Sequence, residues 1–334
     1  MKKKKKEKKI LYQLIFSAFL LFSNAYLVKA NSDILSQDST GKYCINTEQD
    51  YYNFIENIQN YNNKTVILCN DIDISDVPEA TSSFGGILNG KGHTITYASK
   101  EAKENIAVFP FRINDNGIVE NINVQIDESY AYNSETDEFQ TVFSRCDGIA
   151  KGITIKGNVT CIYDDEDTDV YIGAIEGNGT LMDSSIAITY DLQSEKTIEE
   201  IADDIVDNDL SFEFCQLGTI NTGITYQNCI GYGQYSEAIK SLADELEPKI
   251  KDNTWGYLCV SFTRKSFFST SASATNCYYD KENMPDIKIM SEYITNRDNN
   301  KEFPNYADFG KTTSEMKNQG TYEGFDFNLS LIHI

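Results

Sequence analysis

The sequence predicts a mainly β chain whose short strands wind into a stacked parallel solenoid, and three observations lead there. The first is Phe84–Tyr97, FGGILNGKGHTITY, which follows a strand-like run ending in Asn70–Ser75 (NDIDIS). Its Asn89-Gly90-Lys91-Gly92 turn needs the conformational freedom of glycine, and a second strand, His93–Tyr97, leaves it. The second is a spacing. Asn116-Gly117, Asp147-Gly148 and Asn178-Gly179 each lead into alternating aliphatics, and the three glycines are 31 residues apart each time. That period lies in the range of stacked repeats. The third is the variable polar insertions Asp127–Glu138 and Asp164–Asp169, as expected of loops leaving one face.

Along the chain, residues 1–30 read as a secretory signal. Lys2–Lys6, Lys8 and Lys9 form the charged region and Ile10–Phe22 the apolar core, with a cleavage site at Val28-Lys29-Ala30 or Ser23-Asn24-Ala25. The core is short for a bilayer span, so no stable membrane insertion is expected after cleavage. No cysteine follows either site, which argues against a lipoprotein. Residues 31–63 read as a linker and a capping helix: Thr47-Glu48-Gln49-Asp50 is a capping-box variant, followed by Tyr51, Phe54, Ile55 and Ile58 at helical spacing. Strand character is expected from Thr65, and residues 64–328 form the solenoid domain. Two insertions read as helices. Thr197–Glu200 is a capping box before Ile201 and Ile205, and Ser236–Leu246 groups Ile239, Leu242, Ala243 and Leu246 before Pro248. Strands resume at Gly256–Thr263 and Ala272–Tyr279. The last six residues, Leu329–Ile334 (LSLIHI), match the translation of a sequencing-library adapter, CTG TCT CTT ATA CAC ATC, and are expected to be its artefact. The natural chain is therefore expected to continue past Asn328, with any wall anchor, repeat module or catalytic domain beyond that point.

Charge excludes some partners. The chain has 29 basic and 51 acidic residues; residues 1–30 hold eight lysines and one glutamate, so the exported part keeps 21 against 50. Such a surface repels nucleic acid and anionic lipid. All eight cysteines lie in the exported part, where disulfides form, and no C-x-x-C spacing speaks for zinc. Most occupy strand positions and are expected to be small buried hydrophobes, with one or two stacked pairs oxidised.

These residues resemble the GLUG-type proteins common on bacterial surfaces. TVILCNDIDIS followed by FGGILNGKGHTI is similar to that family's opening strand, aspartate pair and glycine turn. Tyr226-Gln227-Asn228-Cys229 and Thr275-Asn276-Cys277-Tyr278-Tyr279-Asp280 resemble its repeat-closing step, and Thr312–Met316 through Gly324–Phe327 resembles the segment before its terminal strand. The resemblance covers roughly residues 43–328, and residues 100–220 lack clear G-L-x-G signatures. It implies a right-handed, single-stranded, pectin-lyase-like parallel β-helix. It also implies structural roles for Asp71, Asp73, Gly90, Gly92, His93, Asn228, Cys229, Asn276 and Cys277, with Asn228 and Asn276 stacking their amides between coils.

Catalytic signals are sparse. His93 is the one histidine left once His333 is set aside, and it sits in the turn motif, which leaves little for a Ser-His or Cys-His nucleophile. The four arginines, Arg112, Arg145, Arg264 and Arg297, adjoin no acidic pair in a recurrent pattern. Asp165, Asp167 and Asp169 resemble the start of a calcium loop with Glu176 in its twelfth position, but Val170 replaces the required glycine. No other cofactor is expected. The function expected is that of a secreted or wall-associated, non-catalytic protein binding a polysaccharide or host surface, with exposed tyrosines clustered on one sheet as stacking groups. The alternatives are a carbohydrate-active lyase or glycosidase, and a structural stalk for a module beyond Asn328.

Overall fold

The computed structural model describes residues 35–322, except 76, 79, 81, 99–106, 133–139, 164–167, 218–222, 252–253, 262–272, 285–286 and 290–308. The expected signal segment, the terminal hexapeptide, Gly324–Phe327, Arg264, Arg297, Asp165 and Asp167 all lie outside the described residues.

Alternating aliphatic and polar residues set the elements, and the chain is mainly β with long parallel sheets. In the larger, 13-stranded sheet, Tyr43–Ile45, Thr65–Leu68, Ile87–Asn89, Ile118–Tyr132, Ile149–Tyr163, Thr180–Gln193, Thr225–Gly231, Tyr278–Asp280 and Gly310–Lys311 lie side by side in that order, each pair parallel. The second sheet has six strands: Phe109–Ile113, Gln140–Cys146, Val170–Ile175, Ser211–Cys215, Tyr257–Ser261 and Ile287–Ile289. Its strands are parallel except the last pair, which is antiparallel. From Phe109 to Ser261 the chain alternates between the two sheets.

Register follows from packing. Ile95, Val124, Ile155 and Ile186 are successive partners across four strands and are all buried, so each aliphatic side chain rests on the next. Phe109 stacks on Phe143 in the same way, rings 4.4 Å apart. A one-residue slip would turn each of these positions to the opposite face. Gly117, Gly148 and Gly179 form another column. A Cβ on Gly148 would fall 2.3 Å from the Gly117 carbonyl oxygen, and one on Gly179 would fall 2.2 Å from that of Gly148.

Helix α1 (Glu48–Glu56) is capped by Thr47, whose hydroxyl accepts from Asp50 N–H, and it buries Tyr51, Phe54 and Ile55. Phe54 meets Tyr61, Phe84 and Phe111 edge-on or tilted, an aromatic lid over the end of the aliphatic core. One expectation needs correction. Tyr43–Ile45 is already a strand, paired with Thr65–Leu68, so α1 lies between the first two strands instead of preceding them. Three residues are too few for alternation to announce a strand, and the Cys44–Cys69 disulfide helps hold this one in place. Helices α2 (Ile198–Asp207) and α3 (Glu237–Leu246) form where the capping signals predict. They are joined by Lys249, whose Nζ contacts Asp203 (2.7 Å) and Glu245 (3.2 Å). Helix α4 (Thr313–Met316) carries a Thr312/Glu315 capping box. Among the described residues, no helix is long and apolar enough to cross a membrane.

Two outcomes follow. Gly148→Ala drives its methyl into two backbone carbonyls, those of Gly117 and Asn114. It should cost at least about 3 kcal/mol in denaturant melts. Reducing the Cys44–Cys69 bridge, which closes 25 residues, should remove about 3 kcal/mol. A melt unchanged by reductant would show that the bridge contributes nothing.

Candidate functional site

The turn motif links Ile87–Asn89 to Thr94–Ala98, which both pair in parallel with Ile118–Tyr132. Gly92 adopts φ +82°, and its neighbour Lys91 is also left-handed. Gly90 N–H donates to the Glu120 carbonyl and Gly92 N–H to that of Asn121. His93 Nδ1 lies 3.0 Å from Asp71 Oδ1, the oxygen that also accepts Thr94 N–H at 2.9 Å. The Thr94 amide first, then His93, hold the Asp71 carboxyl below its ordinary range. Asp73 is exposed on its strand. Further along, Asn121, Gly152, Asp183, Asn228 and Asn276 all have positive φ at neighbouring positions of adjacent strands. Asn228 Nδ2 donates to Asp183 Oδ1 (2.8 Å), and Asn276 Nδ2 donates to Asn228 Oδ1 (3.3 Å). Asn and Asp tolerate the left-handed region because their short polar groups bond locally, and here those groups also tie strand to strand. Beside them Cys229 and Cys277 are buried, and burial pushes the Cys229 thiol up. These residues form a scaffold seam.

The second constellation is one that sequence spacing hid. Arg112 and Arg145 are direct partners across Phe109–Ile113 and Gln140–Cys146. Both turn onto one carboxylate, with Asp147 Oδ2 lying 2.6 Å from Arg112 Nε and 3.0 Å from Arg145 Nε. Asp147 Oδ1 accepts from Asn178 N–H (3.2 Å) and Nδ2 (3.3 Å). Burial disfavours the Asp147 anion, but the Arg145 hydrogen bond and charge, the Asn178 amide and Arg112 outweigh it and hold the carboxyl low. The Asp147 side chain is 6% exposed, whereas Arg112 and Arg145 are 54% and 41% exposed. Glu176 is half-buried next to them. Burial pushes its carboxyl up, Arg145 opposes this and Asp147 adds to it. The sequence shows no recurrent pattern of arginine beside an acidic pair, and the structure brings Arg112 and Arg145 to Asp147 in space. Arg112 and Asp147 are 35 positions apart and meet because the strands between them run parallel and in register.

Of the calcium candidates, Asp165 and Asp167 lie outside the described residues, and Asp169 stands just before strand Val170–Ile175. Asp169 accepts from Ser211 N–H (2.6 Å) and Tyr171 Oη–H (2.8 Å). Glu176 lies past the far end of strand Val170–Ile175, about 20 Å from Asp169 at the rise of an extended chain. Among the described residues, no three His, Cys, Asp or Glu side chains gather to hold a metal. The tyrosines also depart from expectation. Tyr51, Tyr61, Tyr97, Tyr163, Tyr190 and Tyr226 are fully buried, and among the described residues the exposed large apolar side chain is Trp255. Tyrosine supplies core volume here, since its hydroxyls find interior acceptors such as the Val108 and Cys215 carbonyls. Sequence reading also missed Glu213. It is fully buried, with Tyr257 donating to its Oε1.

Two measurements probe these arrangements. Asn228→Ala loses two cross-strand bonds and strains φ +52°, whereas Asn228→Gly loses the bonds alone. Ala should cost about 2–3 kcal/mol and Gly about 1–2 kcal/mol. The folded Asp147 carboxyl titrates below the unfolded value of about 3.9, so its stabilisation is complete above that pH and is lost as pH falls through the lower folded value. Stability profiles between roughly pH 5 and pH 2 should therefore be flatter for Asp147→Asn than for the parent. No family model, curated protein or solved structure matches this chain.

Proposed function

We propose that this chain is a right-handed, single-stranded parallel β-helix, similar to GLUG-type surface proteins, that is exported and binds a polysaccharide or host-surface ligand without chemically altering it. The observation behind this reading is the constant register of Ile118–Tyr132, Ile149–Tyr163 and Thr180–Gln193. Partners stand 31 residues apart, from Ile118 to Ile149 to Thr180. Strands of the larger sheet paired in parallel at this register repeat their outward side chains at the strand spacing of about 4.8 Å. Side chains so arranged form a regular elongated face, suited to an extended ligand.

The carbohydrate-active alternative requires two carboxyls released for proton transfer or nucleophilic attack. Asp147 spends both oxygens on Arg112, Arg145 and Asn178, which favours a holding role. Export rests on the charged and apolar pattern of residues 1–30.

The test is retention without turnover. Purified protein is incubated with a panel of neutral and acidic polysaccharides, and bound material is recovered and sized by mass spectrometry. Intact ligand on the protein is the expected result. Shortened chains or an unsaturated sugar end would replace the binding reading with hydrolase or lyase activity.

A further inference from the structure

The geometry points to an oxyanion-binding site at Arg112 and Arg145, built for an isolated carboxylate carried by an otherwise neutral glycan. This rests on the binding reading above and names its ligand chemistry.

Each arginine meets Asp147 through Nε, at 2.6 and 3.0 Å. That contact is a hydrogen bond at Arg145 and an ion-pair contact at Arg112. A guanidinium engaged through Nε has its terminal edge, Nη1 and Nη2, left as a two-donor fork matched to a planar carboxylate. Among the described residues, no other carboxylate pairs with either guanidinium. The two arginines are register partners on neighbouring strands, whose backbones stand about 4.8 Å apart. Both side chains are about half exposed, whereas the carboxylate that anchors them is buried. Asp147 is in turn fixed by Asn178 from the next strand connection, so the pair is oriented before any ligand arrives.

The whole-chain charge narrows the ligand. With 51 acidic against 29 basic residues, the surface repels a densely sulfated or phosphorylated polymer. That repulsion is screened beyond about 8 Å at physiological salt. A single carboxylate among neutral sugars can therefore approach, pay little long-range penalty and meet both forks.

The test uses the full chain and four probes: glucuronic acid, its methyl ester, heparin and inorganic phosphate, each titrated by NMR or calorimetry at 150 mM salt. Glucuronic acid should bind with Kd on the order of 1 mM, and the methyl ester at least tenfold more weakly. Arg112→Lys keeps the charge but loses the fork, and should weaken binding about three- to tenfold. Arg112→Gln/Arg145→Gln should abolish it, with circular dichroism and melting reporting whether that variant is folded. Should it fail to fold, Arg112→Lys and the ester comparison decide the matter. Equal affinity for acid and ester, or tighter binding of heparin or phosphate, would overturn the proposal. Binding of a neutral polysaccharide that survives Arg112→Lys, with no response to glucuronic acid, would overturn this site and leave the wider binding reading standing. Binding of glucuronic acid with no polysaccharide retained would do the reverse.

Discussion

Parallel backbone pairing is the constraint on which the rest of this protein depends. Parallel strands cannot be joined by tight hairpins, so every strand must be reached by a crossing through other structure. From Phe109 to Ser261 that structure is the second sheet, and residues of both sheets share one apolar interior. Once one strand is placed, the next is held by main-chain bonds and by like-on-like side-chain contacts, such as the Ile95–Val124–Ile155–Ile186 column. The close approach of Gly117, Gly148 and Gly179, carbonyl against α-carbon, leaves no room for a different register there.

The left-handed seam solves a problem that this pairing creates. In strands of 14 or 15 residues, a single positive-φ residue interrupts the pleat while the ladder continues on either side. Glycine would meet the conformational need alone. Asparagine and aspartate meet it and add a bond to the neighbouring strand, which explains why Asp183, Asn228 and Asn276 form a chain of side-chain contacts. Gly152 interrupts that chain between Asn121 and Asp183. The same economy holds at Asp147, where one buried carboxylate orients two arginines and the Asn178 amide.

Local signals in the sequence were strong where the physics is local. Thr47 and Thr197 accept the expected N-cap bonds, because a capping motif is satisfied within four residues of itself. The turn at Gly90–Gly92 and the 31-residue spacing were also legible, since glycine marks backbone that other residues reach only under strain. The first strand was not legible, being only three residues long. The fate of the tyrosines was hidden as well, because an amphipathic ring suits a core with hydroxyl acceptors as readily as a surface.

The sequence by itself determined the class of structure, the helices and their caps, the acidic surface and the residues that turn the chain. Only the tertiary structure decided what stands beside what across the strands. Arg112, Arg145, Asp147 and Glu176 converge through register, and Asp169 and Glu176 separate because a strand stretches between them. The physical reason is that periodicity and capping act within a few residues, whereas a site made across parallel strands depends on the summed length of every connection between them.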